Sequence, residues 1–422
     1  MEDKLYQTYI QILKEELVPA MGCTEPIAIA YCARKCYEIL ADEITKIDIY
    51  VSGNIIKNVK SVIVPNTDGL KGIEASVTAG IVAGDSSKVL EVISEVNSIQ
   101  KTEMRAFMNR IPMKVIPYDS EYVLDIKIHI FGKTHEAIVE IAGFHTNIIF
   151  EQRDNQVIYQ SGVVNSKDDS LADRQLLSVK DIYEFASCVK IDDVKDILQR
   201  QIDYNLKIAE IGLVNDYGAN IGRVLLNSYG DDIMVKVKAY AAAGSDARMS
   251  GCELPVVINS GSGNQGMTTS IPVIVYAKEK QLDQDKLYRA LIISNLCTIH
   301  QKTGIGRLSA FCGAVSAGVG AGCGIAYLDD GSLCAIEHTL VNALAIVSGI
   351  VCDGAKPSCA AKIAASVDAG ILGYAMYQNH SEFKGGDGLV CKGVENTIKN
   401  IGRLAKEGMR ETDKEIIKVM CD

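Results

Sequence analysis

Apolar and polar positions repeat along this chain with two different periods, and the change of period outlines its architecture. Residues 4–18 carry apolar side chains at helical spacing, and Pro19 and Gly22 stop that pattern. A second helical pattern runs through Leu40, with Thr24 suited to cap it and Pro26 suited to its first turn. From Lys46 the period falls to two. Ile47-Asp-Ile-Tyr-Val-Ser alternates, as do Asp125-Ile-Lys-Ile-His-Ile and Glu136-Ala-Ile-Val-Glu-Ile, with Gly132-Lys133 as the hairpin turn between the last two. Small-residue helices are expected at about 70–82 and 87–97. Residues 165–174 read as a polar linker. Helical patterns then cover about 178–190, 192–214, 230–243, 285–302, 334–350, 359–377 and 391–407. The pattern predicts an α+β protein. A mostly helical domain (1–45 and 175–422) carries an inserted α/β domain (46–165) with an antiparallel β-meander over 122–159.

Composition adds little to this outline but narrows the chemistry. A chain of 422 residues suits one or two domains. With 36 Gly and no Trp, it favours close helix packing over an aromatic core. A formal charge of −10 argues against a general nucleic-acid or anionic-membrane binder. Residues 1–14 are charged and lack the apolar region of a secretory signal. The uncharged run 311–328 carries five glycines and reads as a buried helix or a glycine-rich loop, not a span. Thirteen cysteines without an export signal point to reduced thiols in a cytoplasm, more of them than packing requires.

Several of those cysteines lie where thiols become reactive. Cys352-Asp-Gly-Ala-Lys-Pro-Ser-Cys359 holds two thiols on either side of a turn, with Cys359 opening a helical segment. Backbone N–H groups at a helix start favour a thiolate, so the pKa values of Cys359 and of Cys23, just before its own helix, should fall. Thiolates are the soft ligands of iron–sulfur clusters; buried apolar cysteines are the alternative. Cys312, among small residues, would make a third ligand, though Cys323 or Cys334 could replace one of the three. Cys32 and Cys36, at i and i+4, read as core cysteines on one helix face. His145 reads as a hydrogen-bonded strand histidine.

The segment Asn259-Ser-Gly-Ser-Gly-Asn-Gln-Gly266 contains a literal G-x-G-x-x-G. It lacks the βαβ context of a dinucleotide site. It reads instead as a loop whose amides, with Ser260, Gly261, Ser262, Asn264 and Gln265, hold a small anion such as a substrate carboxylate. No P-loop, G-x-S-x-G or H-E-x-x-H motif occurs.

Five ordered motifs carry a family likeness: Gly22-Cys-Thr-Glu-Pro26, Ala243-Gly-Ser-Asp-Ala-Arg-Met249, Ser260-Gly-Ser-Gly-Asn-Gln-Gly266, Phe311-Cys-Gly-Ala-Val-Ser-Ala-Gly318 and Cys352-Asp-Gly-Ala-Lys-Pro-Ser-Cys359. Together they resemble the L-cysteine desulfidase family, which is related to the α-subunit of iron–sulfur L-serine dehydratases. The likeness spans nearly the whole chain. It implies a 4Fe–4S cluster, with Cys312, Cys352 and Cys359 as ligands and one iron left open as a Lewis acid. It also implies β-elimination without pyridoxal phosphate, and marks Cys23 as a candidate base or substrate-contacting thiol. The gap between Cys352 and Cys359 is shorter than in the serine dehydratases, which favours the desulfidase branch. The expected activity is therefore conversion of L-cysteine to pyruvate, ammonia and sulfide. The same elimination on L-serine is the alternative, and a non-catalytic iron–sulfur or zinc redox protein is a third reading. A small amino-acid substrate, no nucleic-acid or membrane partner, and homo-oligomeric assembly are expected.

Overall fold

The structure, a computed structural model, describes residues 1–161, 171–306 and 309–421. Residues 165–170 of the expected linker, and Arg307 and Leu308 ahead of Cys312, lie outside the described residues.

Eight strands are described: β1 (Pro19–Met21), β2 (Ile44–Val51), β3 (Met113–Pro117), β4 (Asp125–Gly132), β5 (Glu136–Ala142), β6 (Ile148–Arg153), β7 (Gln156–Gln160) and β8 (Pro255–Val257). Six form one mixed sheet in the order β3-β2-β4-β5-β6-β7, parallel only between β2 and β3. Its register opposes Ile49 to Ile128 and Ile128 to Val139. One sheet face is thus a run of β-branched side chains, each worth roughly 1.5–3 kcal/mol when buried. Helix Thr24–Leu40 lies on that face and completes its core with Ala28, Ile29, Ala33 and Leu40. Although continuous in sequence with the first helical segment, this helix packs with the sheet, because its apolar stripe matches the isoleucine face.

The fold is α+β, as the periodicities require. Three local readings change. The segment 87–97 is not a helix but the short 3₁₀ turn Ser86–Glu91; the helix begins later, at Ser98–Arg110, where Asn97 and Gln100 form a reciprocal capping box. The run 311–328 is resolved in favour of a helix, Gly313–Asp329. The glycine motif is only half loop, since Gly263 opens the helix Gly263–Glu279.

Helix Gly313–Asp329 is the axis of the helical part, packed by Gln284–Ile305, Leu333–Val347, Cys359–Gln378 and Gly263–Glu279. Its glycines make that possible. A Cβ on Gly320 would lie 2.1 Å from Thr298 Oγ1, and one on Gly322 would lie 2.7 Å from Gly370 Cα. Helix Cys359–Gln378 is the one described helix long and apolar enough to span a bilayer, and half of that stretch is buried against these neighbours.

Candidate functional site

Two small pairings bring distant motifs together. Strands β1 and β8 pair antiparallel, Met21 opposite Pro255, which sets Gly22 and Cys23 beside the 260–266 turn. Thr24 Oγ1 then donates to Gly261 O at 2.9 Å. The second pairing is the bridge between Phe311 and Val351, reinforced by Cys312 N to Ile350 O (3.1 Å) and Cys352 N to Ala310 O (2.6 Å). It sets the next residues of both segments, Cys312 and Cys352, side by side.

One cleft, about 850 Å³ with its mouth included, is lined by Cys23, Ser260, Gly261, Ser262, Asn264, Gln265, Cys312, Cys352 and Cys359. The structure thus places Cys23, the polar turn residues and the three cysteines Cys312, Cys352 and Cys359 on one wall system. Cys323 and Cys334 do not line it: Cys323 is buried in the helical core and Cys334 is exposed. Cys32 and Cys36 lie under the sheet, with sulfurs 3.4 Å from Val139 O and 3.2 Å from Ala137 O.

Four helices begin at this cleft. Cys23, Ser262 and Cys312 are the residues just ahead of helices Thr24–Leu40, Gly263–Glu279 and Gly313–Asp329, and Cys359 is the first residue of its own. None of the residues ahead of these helices uses its side chain as a cap. The positive ends of four dipoles therefore lie at a shared space, which favours an anion, with Cys359 N and Ala360 N already bonded to Lys356 O and Pro357 O. The turn that delivers Ser262 is strained, with Ser260 at φ 50° followed by Gly261 at φ 79°. Gln265 is buried and its Oε1 finds no donor among the described residues. It is an acceptor left for a ligand to satisfy.

The thiols divide in their acidity. The Cys312 thiol donates to Cys352, which draws the Cys352 pKa down to about 6 against its burial, with Lys57 and Lys362 assisting. Cys312 is correspondingly raised. The loop between Cys352 and Cys359 is braced by Asp353, which pairs with Lys356 and Lys362. Gly354, at φ 90°, has no room for a side chain, since a Cβ would sit 2.2 Å from Lys57 O. The expectation that Cys23 and Cys359 are acidified by their helix starts is overturned. Burial pushes Cys23 up to about 11 and raises Cys359 as well. Desolvation of a thiolate in this wall outweighs the dipole.

Other lining residues have no role assigned from the sequence, although Glu25 and Arg248 fall inside two of the five motifs. Lys57 is buried and paired with Asp413 at 2.5 Å. Arg248 donates from Nε (3.1 Å) and Nη2 (2.8 Å) to Gly22 O, and from Nη1 to Asn264 Oδ1 (3.2 Å). Glu25 accepts from Asn58 Nδ2 at 3.2 Å. His145 is not in a strand: it lies in the connection between β5 and β6, buried, on the cleft wall. The Ala243–Met249 motif acts through two of its members. Arg248 reaches the cleft, and Asp246 accepts the Ile221 N–H at 2.6 Å, holding the start of helix Ile221–Tyr229.

Three thiols with an amide-rich turn beside them make a donor set for a soft, thiolate-bound centre rather than a hard cation. Among the described residues no three His, Cys, Asp or Glu side chains are gathered as one ion would require. The Cys312 and Cys352 sulfurs lie within hydrogen-bonding reach of each other, and Cys359 lines the same cleft.

This combination of thiols and anion-favouring helix starts coincides with a family assignment. Residues 85–418 match the serine dehydratase alpha chain family. The chain is 60% identical over 421 residues to a UPF0597 protein of Desulfitobacterium hafniense, covering 100% of this chain and 98% of that one. It is 49% identical over 417 residues to a UPF0597 protein of Finegoldia magna (99% and 100% covered) and 44% identical over 427 residues to one of Fusobacterium nucleatum (100% of each). The chain belongs to the serine dehydratase alpha chain family, in the company of the UPF0597 proteins.

Proposed function

We propose that the protein is a pyridoxal-independent lyase that eliminates sulfide from L-cysteine, leaving pyruvate and ammonia. The observation that carries this reading is the meeting of Cys312, Cys352 and Cys359 with the 260–266 turn on one cleft. In this reading the three cysteines hold a 4Fe–4S cluster. When bound, the cluster supplies a Lewis-acidic iron with an open position for the substituent on the substrate β-carbon.

The chain's own residues do the rest. Ser260, Ser262, Asn264 and the amides opening helix Gly263–Glu279 receive the α-carboxylate. Gly313 lets the Gln265 amide come close, since a Cβ there would lie 2.5 Å from it, so Gln265 is held facing the substrate. Cys23 is our candidate for α-proton transfer. It holds its own proton at rest, and an arriving α-ammonium beside it favours the thiolate that a base requires. The aminoacrylate product needs no further group, because it tautomerises and hydrolyses in water. We place the enzyme in a reducing cytoplasm as a homo-oligomer; the twelve described cysteines, all free, support the reducing setting.

The test is anaerobic sulfide and pyruvate release after cluster reconstitution. Equal release by metal-free protein would sink the mechanism. L-serine elimination is the second reading, favoured by the serine dehydratase family match. The ratio of kcat/KM for the two amino acids decides between them. A non-catalytic redox protein accounts for the cysteines but leaves the Ser/Asn/Gln turn without a role.

A further inference from the structure

We infer that Arg248 and Glu25 are the charge-reading residues of this cleft, Arg248 for a carboxylate and Glu25 for an ammonium. The substrate class is then an α-amino acid free at both ends. This deepens the elimination reading above and rests on it.

Arg248 is 3% exposed, yet among the described residues it makes no ion pair. Its partners are neutral: Gly22 O and Asn264 Oδ1. A guanidinium has five N–H donors, and these three bonds leave one on each terminal nitrogen. Two parallel donors of this kind match a carboxylate. Location makes the need for an anion stronger. A Cβ on Gly263 would lie 2.4 Å from Arg248 Nε, so the guanidinium rests against the first turn of helix Gly263–Glu279, the positive end of that dipole. Arg248 belongs to the last turn of helix Ile233–Met249, and the positive end of helix Gly263–Glu279 beside its guanidinium adds to the preference for an anion in the cleft. Of the two lysines on the wall, Lys57 and Lys302, Lys57 already has its carboxylate in Asp413.

Glu25 is the one carboxylate lining the cleft among the described residues. It accepts one bond from Asn58 Nδ2 (3.2 Å), and the Thr24 hydroxyl, whose single proton it shares with Gly261 O, lies 3.1 Å from its other oxygen. A carboxylate has about four acceptor positions, so two stay available for an ammonium. Gln265 Oε1, buried and without a donor among the described residues, is a further acceptor on the same wall. The cleft thus offers a fork of donors and a group of acceptors, the complement of a zwitterion.

The experiment uses the reconstituted protein under anaerobic conditions, with L-cysteine, L-cysteinamide and N-acetyl-L-cysteine. Wild type should favour L-cysteine by about 100-fold in kcat/KM over either blocked form, the scale of a desolvated charge pair. Arg248→Gln should raise KM for L-cysteine by about 100-fold at unchanged iron content and bring the cysteine-to-cysteinamide preference close to one. Glu25→Gln should do the same for the N-acetyl comparison. Arg248→Lys, which keeps the charge and loses the fork, should fall between and guards against a misfolded glutamine variant. Wild-type preference ratios in Arg248→Lys and Glu25→Gln would overturn the assignment while leaving the elimination reading intact. If fully loaded wild type turns over neither L-cysteine nor L-serine, the elimination reading fails on its own. Calorimetry of L-serine binding then carries the test: a loss of about 10-fold in Arg248→Lys supports the assignment. Unchanged affinity, or no binding to wild type, overturns it.

Discussion

Cys32 and Cys36 lie under the sheet, and Cys312, Cys352 and Cys359 lie on the cleft. Both groups are largely withdrawn from water, yet the structure treats them differently. The first pair sits in mid-helix against backbone carbonyls of β4 and β5, with burial raising both thiols and no space in front of them. The second group sits at turns and helix starts, beside Lys57, Lys356 and Lys362, facing a cleft. Residue type is shared; what separates them is the helix starts, the cations and the room. A thiol becomes a candidate ligand through its surroundings.

The largest effect expected from breaking this contrast is on metal content. Cys312→Ala, Cys352→Ala or Cys359→Ala should each abolish stable iron binding and lower sulfide release by more than about 100-fold, read by iron analysis and anaerobic absorbance. Cys32→Ala and Cys36→Ala should retain iron and cost only about 1 kcal/mol of stability each, measured by denaturant unfolding. Iron loss from the sheet pair would erase the distinction.

A smaller effect separates the anion-binding turn from the thiols within the cleft. Ser262→Ala or Asn264→Ala should lower kcat/KM by roughly 10-fold while iron stays at the wild-type level, because each removes one polar contact and no ligand. Parallel loss of iron and activity would mean that the turn supports the cluster rather than the substrate.

Packing offers a third contrast. Gly322→Ala and Gly80→Ala should each destabilise by about 1–3 kcal/mol, the usual cost of overpacking. The new methyls would meet Gly370 Cα at 2.7 Å and Ala30 O at 2.1 Å. Gly349→Ala, with nothing within 4 Å, should be close to neutral, and thermal unfolding ranks the three.

The smallest effect concerns Asp246. Burial raises its carboxyl to about 6 in the fold, against the N–H groups that stabilise the charged form. A raised folded pKa adds stability below the unfolded value, and that stability is lost as pH climbs through about 6. The melting temperature of Asp246→Asn, taken relative to wild type, should therefore be higher at pH 7 than at pH 4.5. A constant difference between the two proteins would show that Asp246 titrates normally.

Long, strongly periodic elements were legible in the chain: the helix ending at Leu40, the strands 125–132 and 136–142, and most of the later helices. Two glycine-rich helices were less so: Gly313–Asp329 is read as either a helix or a loop, and Gly263–Glu279 as a loop. Gly313–Asp329 and Gly263–Glu279 have so many small or interior-facing residues that no apolar stripe stands out, because both are surrounded on all sides. The edge strand β3 is short and half-buried and gives no clear alternation. Of the cleft, the cysteines and the polar glycine turn could be singled out because thiols and Ser/Asn/Gln at turns are unusual locally. Arg248 is legible only as a member of the Ala243–Met249 motif; that it reaches the cleft shows only once helix Ile233–Met249 is seen buried.

What the chain determines by itself is local: where helices begin, which residues cap or precede them, and which side chains can carry chemistry. These depend on neighbours a few positions away. Which of those groups share a space was decided by contacts between residues more than a hundred positions apart, such as β1 with β8 and Thr24 with Gly261. The acidity of each thiol was decided there too. Desolvation and neighbouring charge depend on the whole surrounding wall, and at Cys23 they reversed what its helix start alone would produce.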